Sequence, residues 1–475
     1  MKIAGLDIGT TGCKVTVFDE NGAFVGRSYR DYPLIRGSFS REIDIKKLTE
    51  GVLSALGEMV AAHPDIKSIG VTSFGEAFVM TDGEGKPLNN ALIYTDSRGA
   101  EECSELVRKL EADRIARITG LSPHQMFSIS KIMWFNHHMP DVFDRARHIF
   151  LISDYIVYVL TGERKIDYSL ASRTMAFDII NFNWSEDIFK AAGIDMCMMS
   201  EPVPPGTVAG SMNGIDVIVA GHDQVTAAVG SGVFDGSSAV DGAGTVQCLT
   251  PIYDTLPDIG VMSENNYCVV PYVIPGKYAA YAFSYTGGAL IKWCLDCFGK
   301  GETNVSLENA YTGSGPTGLL VLPHFAGAAT PYMDTGSKGA IVGLTTDTTA
   351  PEIYRACMEG VCYEMCLNYE TLKKTGIRFK SLSATGGGAK SSVWMQMKAD
   401  MLDLPITTLE TSDAGTVGCA MEAGIAAGIF KDLREAASVM VKKCGTYMPS
   451  PEMHEKYMDV YKRYRELYKA IRPLV

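Results

Sequence analysis

The 475-residue chain contains no run of 18 or more apolar residues, so no membrane-spanning helix is predicted. Its first residues, MKIAGLDIGTTGCK, carry no long apolar stretch and no small-residue cleavage signal; no leader peptide is expected, and the segment reads as a strand entering a fold directly. Positive charge is in deficit. Forty-three Lys and Arg stand against 55 Asp and Glu, for a net charge of −12. A surface of that sign repels phosphate backbones, which excludes nucleic acid as a general partner and leaves only local basic residues to hold a small phosphorylated molecule. The twelve cysteines show no dense disulfide framework and suit the reduced thiols of a cytoplasmic protein. A Walker loop, Gly-x4-Gly-Lys-Ser/Thr, occurs nowhere in the chain. No Ser-His-Asp arrangement is legible, and His137-His138 is read as lacking a carboxylate or cysteine partner. The lone Cys294-Leu295-Asp296-Cys297 lies in an apolar helical pattern from Ala289, without a second pair at metal spacing. It reads as core packing, as do Cys362 and Cys366 at i, i+4.

What is present is the composition of a globular protein, 46% hydrophobic and 21% charged, long enough for two or three domains. Forty-eight glycines suggest many tight turns. Ile3, Ala4 and Leu6 form a short strand ending at Asp7; Gly9-Thr10-Thr11-Gly12 turns, and Lys14–Phe18 continues as a β-branched strand. Asp19–Gly22 is a hairpin turn into a third strand. Strand, turn, strand is not the strand-to-helix order of a Walker loop, so any phosphate held here is held by a β-hairpin. Ile45, Leu48, Val52, Leu56, Met59 and Val60 follow the helical period. Ser68–Thr72 reads as a strand, residues 100–165 as helical, and Val217–Ala220 as an apolar strand running into Gly221-His222-Asp223 and a helix. Near residue 238 the opening pattern returns, with Asp241-Gly242-Ala243-Gly244-Thr245 as the turn. A tandem pair of domains, 1–236 and 237–475, is the simplest account. In the second half, a strand over Ser381–Thr385 leads through Gly386-Gly387-Gly388 to a helix, for which Ser391 or Ser392 is a suitable N-cap. Tyr457 to Ile471 reads as an amphipathic closing helix.

The set Asp7-x-Gly9-Thr10-Thr11-x-x-Lys14, Gly221-x-Asp223, Gly244-Thr245 and Gly386-Gly387-Gly388-Ala389-Lys390-x-x-x-Trp394 resembles the FGGY carbohydrate kinases. Gly339–Leu344 through Glu352–Glu359 resembles that family's C-terminal signature, with Cys357 a departure. The resemblance covers nearly the whole chain in order. It implies an α/β protein of two ribonuclease-H-like lobes, as in actin, Hsp70 and sugar kinases, with a cleft between them: an N-terminal lobe on the sugar and phosphate side and a C-terminal lobe on the nucleotide side. The implied reaction is phosphorylation of a small sugar or polyol by ATP with Mg²⁺, where positioning and charge neutralisation do most of the catalysis. The resemblance assigns Asp223 as general base, Asp7 to Mg²⁺, and Lys14 to the transferring phosphate. Gly9, Thr10, Thr11, Gly244 and Thr245 would hold phosphates, and Gly386–Lys390 the nucleotide. A plain strand-to-helix turn accounts for one or two of those three glycines, and N-capping is the structural alternative for Asp223. Homodimers are frequent in the family, though no interface is legible here.

The acceptor signals are mixed. Gly70–Glu76 stands where xylulokinases have Met-His-Gly and glycerol kinases Arg-Glu; Glu76 matches the glutamate, and Gly75 replaces the arginine. Tyr94-Thr95-Asp96-Ser97-Arg98 is similar to the xylulokinase Trp-x-Asp-x-Arg, with Tyr94 for tryptophan. Asp167–Met175 is close to glycerol kinases. Glu76, Asp96, Arg98 and Asp223 are candidates for polyol hydroxyls, and Phe74 or Tyr94 for packing on a C–H face. Glu76 and Asp96 read equally as solvated loop charges. A specific glycerol or xylulose kinase is the narrower alternative; an actin-like ATPase switch or a non-catalytic sugar sensor is the alternative of another kind.

Overall fold

The computed structural model describes residues 1–37, 40–411 and 413–475. The chain divides into two compact units. One comprises Met1–Gly232, Val269–Ala279 and Asp413–Val441; the other comprises Val233–Cys268, Ala280–Ser412 and Lys442–Val475. The first changeover falls close to residue 236, but two later segments cross back to the first unit.

The first unit is built on strands β1 (Lys2–Ile8), β2 (Gly12–Asp19) and β3 (Phe24–Asp31), helix α1 (Ile45–Ala62), strands β4 (Ile66–Ser73), β5 (Thr207–Met212) and β6 (Ile215–His222), and helix α2 (Asp223–Gly230). Its six-stranded sheet runs β5-β6-β4-β1-β2-β3. β1 and β2 are the expected hairpin, in register Leu6 to Val15 and Asp7 to Lys14. β1, β4 and β6 are parallel neighbours. α1 starts where Asp44 accepts hydrogen bonds from the Lys46 and Lys47 amides, satisfying amides that a helix start leaves open. Its buried stripe is Ile45, Leu48, Val52, Ala55, Leu56 and Met59, which packs in one core with Leu6, Val15, Ile69 and Val71. Each large aliphatic chain so buried contributes roughly 1.5–3 kcal/mol.

The second unit repeats the plan. Its strands β7 (Ser238–Ala243) and β8 (Gln247–Tyr253) pair as a hairpin; helices α3 (Gly288–Phe298) and α4 (Ala350–Lys373) follow, then β9 (Ser381–Thr385), helix α5 (Ser392–Leu402) and β10 (Ile406–Leu409). Next comes α6 (Ala414–Ala426), in a segment that belongs to the first unit, and then β11 (Lys443–Tyr447). Five adjacent strands run β8-β7-β9-β10-β11, with pairings antiparallel, parallel, parallel, antiparallel. In the first sheet the run β2-β1-β4-β6-β5 has the same order of pairings. Two copies of one α/β layer architecture thus carry the two glycine-rich hairpins at equivalent places.

Helix α6 lies against β1 and β4 at backbone distance. A Cβ at Gly5 would overlap the Thr416 carbonyl oxygen, and one at Gly70 the Cys419 carbonyl oxygen. The stretch 100–165, expected to be helical, also contains the strand His148–Leu151, paired antiparallel with Phe78–Thr81. Four residues, three of them apolar, are too few for periodicity to separate strand from helix. The closing helix is two helices, Pro451–Tyr464 and Leu467–Ile471. Among the described residues no helix is long and apolar enough to cross a membrane.

Candidate active site

Parallel strands deliver functional groups at their carboxyl ends, and three neighbours do so here. In the first sheet Asp7 is level with Thr72, and Ser73 with His222. β1 therefore carries Asp7 one residue before its end, β4 runs out toward Glu76, and β6 ends on His222 before Asp223 opens α2.

Asp223 is the first residue of α2, and the cap position is taken by His222 in extended conformation. N-capping is therefore not the role of Asp223. Its side chain keeps 31% exposure, and His222 Nε2 lies 3.1 Å from its Oδ1. Loss of solvent, then the charges of Asp7 and Glu76, push the carboxyl up to about 7. Burial, helped by the charge of Arg173, holds His222 well below the usual imidazole range. A neutral ring protonated on Nε2 donates to Asp223. The His222 amide is held by Ser169 Oγ at 2.9 Å.

Glu76 is buried and has a left-handed backbone, φ 65°. Its carboxylate is gripped by Arg173, whose Nε donates to Oε1 at 2.7 Å and whose Nη2 donates to the same oxygen. Arg173 lies over the Phe127 ring, 5.1 Å from its centroid, and Ser128 Oγ donates to the Glu76 carbonyl at 2.8 Å. Tyr94 is half-buried; burial and then the charges of Glu76 and Asp223 raise its hydroxyl above the usual phenol range, so it lies within electrostatic reach of both. Phe74 is buried.

Asp96 and Arg98 are arranged differently. The Asp96 carboxylate accepts from Arg98 Nε at 2.8 Å and Nη2 at 2.7 Å and from the Arg41 amide at 2.7 Å. Arg98 also reaches Glu42 at 2.6 Å and stacks over Trp134. The two residues satisfy each other. Lys131, unread in the sequence, is fully buried and donates to the Ile93 carbonyl at 2.6 Å. Burial lowers its ammonium to about 8, against the charges of Asp96 and Glu76.

At the first hairpin, burial raises the Asp7 carboxyl, partly offset by Lys14. Lys14 Nζ bonds Asp413 at 2.7 Å, and Arg27 bonds the same carboxylate at 2.9 Å. The second residue of α6 is Gly415, where a Cβ would stand 3.2 Å from Asp7 Oδ2; glycine keeps the space beside that oxygen clear. Thr10 is half-buried and Thr11 exposed, while Tyr32 Oη donates to the Gly9 carbonyl at 2.5 Å.

The second unit carries the other predicted residues. The Gly244 and Thr245 carbonyls accept from the amides of Gly288, Gly287 and Ala289 at 2.9–3.0 Å, tying the hairpin to the start of α3. Gly386 has φ 92°, and a Cβ there would stand 2.7 Å from the Ala243 carbonyl oxygen; at Gly388 it would stand 2.8 Å from the Trp394 ring. Packing requires both. Gly387 alone faces open space. Ala389 and Lys390 complete a short 3-10 turn, and Ser391 caps α5 through the Trp394 amide at 3.1 Å. Beneath the hairpin, Asp241 and Lys398 form a fully buried ion pair, 2.8 Å, with Gln247 bonded to both. Cys294 is buried and Cys297 exposed on α3; among the described residues no group of three or more metal-ligating side chains occurs.

Two repeated α/β sheets, each presenting a glycine-rich hairpin, and three carboxylates at one sheet edge define the architecture of a phosphotransferase of the sugar-kinase type. Models of the FGGY family of carbohydrate kinases match the chain, the N-terminal domain over residues 2–240 and the C-terminal domain over 253–427. The chain belongs to the FGGY family of carbohydrate kinases. It is 25% identical to the xylulose kinase of Staphylococcus epidermidis over 99% of this chain and 97% of that one. To the glycerol kinase of Alkaliphilus oremlandii it is 31% identical over 92% and 91%. The crystal structure of a ligand-bound xylulose kinase from Lactobacillus acidophilus superposes with a TM-score of 0.92, covering 99% of this chain and 98% of that one at 23% identity. The protein is therefore a kinase that phosphorylates a sugar or polyol hydroxyl, and kinases of this family use ATP, generally with Mg²⁺.

Proposed function

We propose that Asp223 is the general base of this kinase and that Glu76, with Tyr94 and Phe74, holds a small ketose or sugar alcohol. The observation that carries the reading is the convergence of Asp7, Glu76 and Asp223 at one sheet edge, with Asp223 raised to about 7. A carboxylate of that basicity accepts the proton of the attacking hydroxyl near neutral pH. The hydroxyl oxygen attacks the terminal phosphorus of ATP, the bond to the bridging oxygen breaks, and ADP leaves. Glu76 accepts hydrogen bonds from the acceptor, and Lys14 draws off charge on the transferring group. Thr10, Thr11 and Thr245 donate to phosphate oxygens, with Gly9 and Gly244 allowing close approach. Gly387, open in its loop, leads the nucleotide contacts of Gly386–Lys390.

Asp7 fits a magnesium site: a buried carboxyl at a strand end, with glycine at 415 keeping its Oδ2 side clear. The ion, when bound, supplies neutralisation of phosphate charge and favours few carboxylates and several waters. Asp96 and Arg98, bonded to each other, support the acceptor wall through Arg41 and Glu42 rather than by reaching the acceptor. A narrower reading, glycerol kinase, is favoured by Glu76 and by the Asp167–Met175 stretch, and opposed by Gly75.

The test is ADP release with Mg-ATP against glycerol, erythritol, pentuloses, deoxyhexuloses and gluconate, with Asp223→Asn alongside. One acceptor is expected to raise turnover well above background, and Asp223→Asn to remove about 10²–10⁴-fold of it. Turnover that survives the substitution refutes the assignment of the base.

A further inference from the structure

Residue 75 is glycine, and the space a side chain would take there is filled by another residue. A Cβ at Gly75 would stand 2.8 Å from Arg173 Cγ, 3.1 Å from Arg173 Cβ and 3.1 Å from His222 Nε2. The Gly75 backbone lies outside the left-handed region, so conformation does not demand glycine here; the volume belongs to Arg173. From that volume Arg173, only 3% exposed, lies over the Phe127 ring and commits two donors to a single Glu76 oxygen, Oε1. Glu76 Oε2 receives no hydrogen bond from the described residues. A carboxylate held by one oxygen in a planar guanidinium grip has its orientation set and its second oxygen on offer.

We propose that Arg173 is the positioning residue of the acceptor site: lodged in the space left by Gly75, it fixes Glu76 through Oε1 so that Oε2 is presented to the acceptor hydroxyls. The inference rests on Glu76 as an acceptor contact. It assigns Arg173 no contact with substrate and explains how an arginine joins Glu76 although residue 75 has no side chain. The same arginine lies close enough to His222 to help keep that ring neutral, so it borders both partners of the acceptor, Glu76 and the Asp223–His222 pair.

The experiment compares the full-length wild type with Arg173→Met, Arg173→Lys and Gly75→Ala. Acceptor KM, ATP KM and kcat are measured on whichever neutral acceptor the wild type turns over fastest, and melting temperatures on the same preparations. Arg173→Met is expected to raise the acceptor KM by about tenfold or more while the ATP KM stays within about twofold, since the loss falls on acceptor binding. Arg173→Lys, which keeps the charge without the planar fork, falls between. Gly75→Ala, by displacing Arg173, reproduces the rise. A merely structural role lowers the melting temperature and the active fraction, hence kcat, and leaves both KM values in place; that pattern overturns the proposal. So does a wild-type acceptor KM in Arg173→Met, or, if that variant does not fold, in both Arg173→Lys and Gly75→Ala. In each of these cases the wild type still phosphorylates its acceptor, and the functional reading stands. A wild type that phosphorylates none of the acceptors overturns that reading and this inference together.

Discussion

Burial and two neighbouring carboxylates act on Asp223 in one direction, and the result has opposite signs for activity and stability. As the proposed base Asp223 must be ionised, so kcat/KM is expected to fall as pH drops through about 7, where that carboxyl takes up its proton; a pH profile of the free enzyme checks this. For stability, the folded state binds that proton more tightly than the unfolded chain, whose carboxyl titrates near 4. The contribution is complete below pH 4 and is lost as pH rises through about 7. Asp223→Asn is therefore expected to raise the melting temperature by a few degrees at pH 8 and to change it little at pH 5. The place of Asp223 just past a strand end was legible because an apolar strand runs straight into it. The union of Glu76 with Arg173 was not, since 97 residues separate them and only the packing of the chain brings them together. Asp96 and Arg98 show the converse: their spacing is plain in the sequence, but their mutual bonding depends on a side-chain geometry that spacing does not encode.

Elements were legible where one face of the element differs from the other. α1 declares itself by its stripe, and the hairpins by turn residues between β-branched runs. α6 does not. Its residues, AGTVGCAMEAGIA, are mostly small or apolar all round, and its one charged residue, Glu422, is itself buried, so no period marks a buried face. The meaning of that composition lies on its neighbours, where Gly5 and Gly70 let the backbones meet. The second hairpin looked like a copy of the first, and its topology is one, yet its aspartate has a different partner. Asp241 is neutralised by Lys398 in full burial, whereas Lys14, beside Asp7, bonds Asp413 instead. Lys398→Met leaves the Asp241 charge buried without a counter-charge and is expected to cost about 3–5 kcal/mol, measured as a lowered denaturant midpoint. Adding Asp241→Asn should recover most of that loss, because the cost is the stranded charge rather than the missing contact.

Across the whole molecule, the duplicated pairing pattern was foreshadowed by two Asp-Gly-Thr hairpins, but the path of the chain was not. A single cut near residue 236 falls between the two hairpins and still divides the first unit, because Asp413–Val441 belongs to it. Residues 1–236 expressed alone lack α6, and the glycine-lined backs of β1 and β4 then face water. That fragment is expected to show no cooperative unfolding by circular dichroism, and a version with residues 413–441 joined through a flexible linker is expected to regain it. Sequence patterns report on neighbours along the chain; which distant segment covers a sheet is a property of the packed unit.

The placement of α6 also imposes a timetable. About 210 residues separate Gly232 from Val441, and at about 5–20 residues per second a ribosome needs on the order of 10–40 seconds to make them. Through that interval the sheet bearing all three carboxylates is already synthesised but lacks its covering helix. The first lobe to be translated is thus completed only after most of the second has emerged, and whatever shields nascent chains from one another must cover that delay.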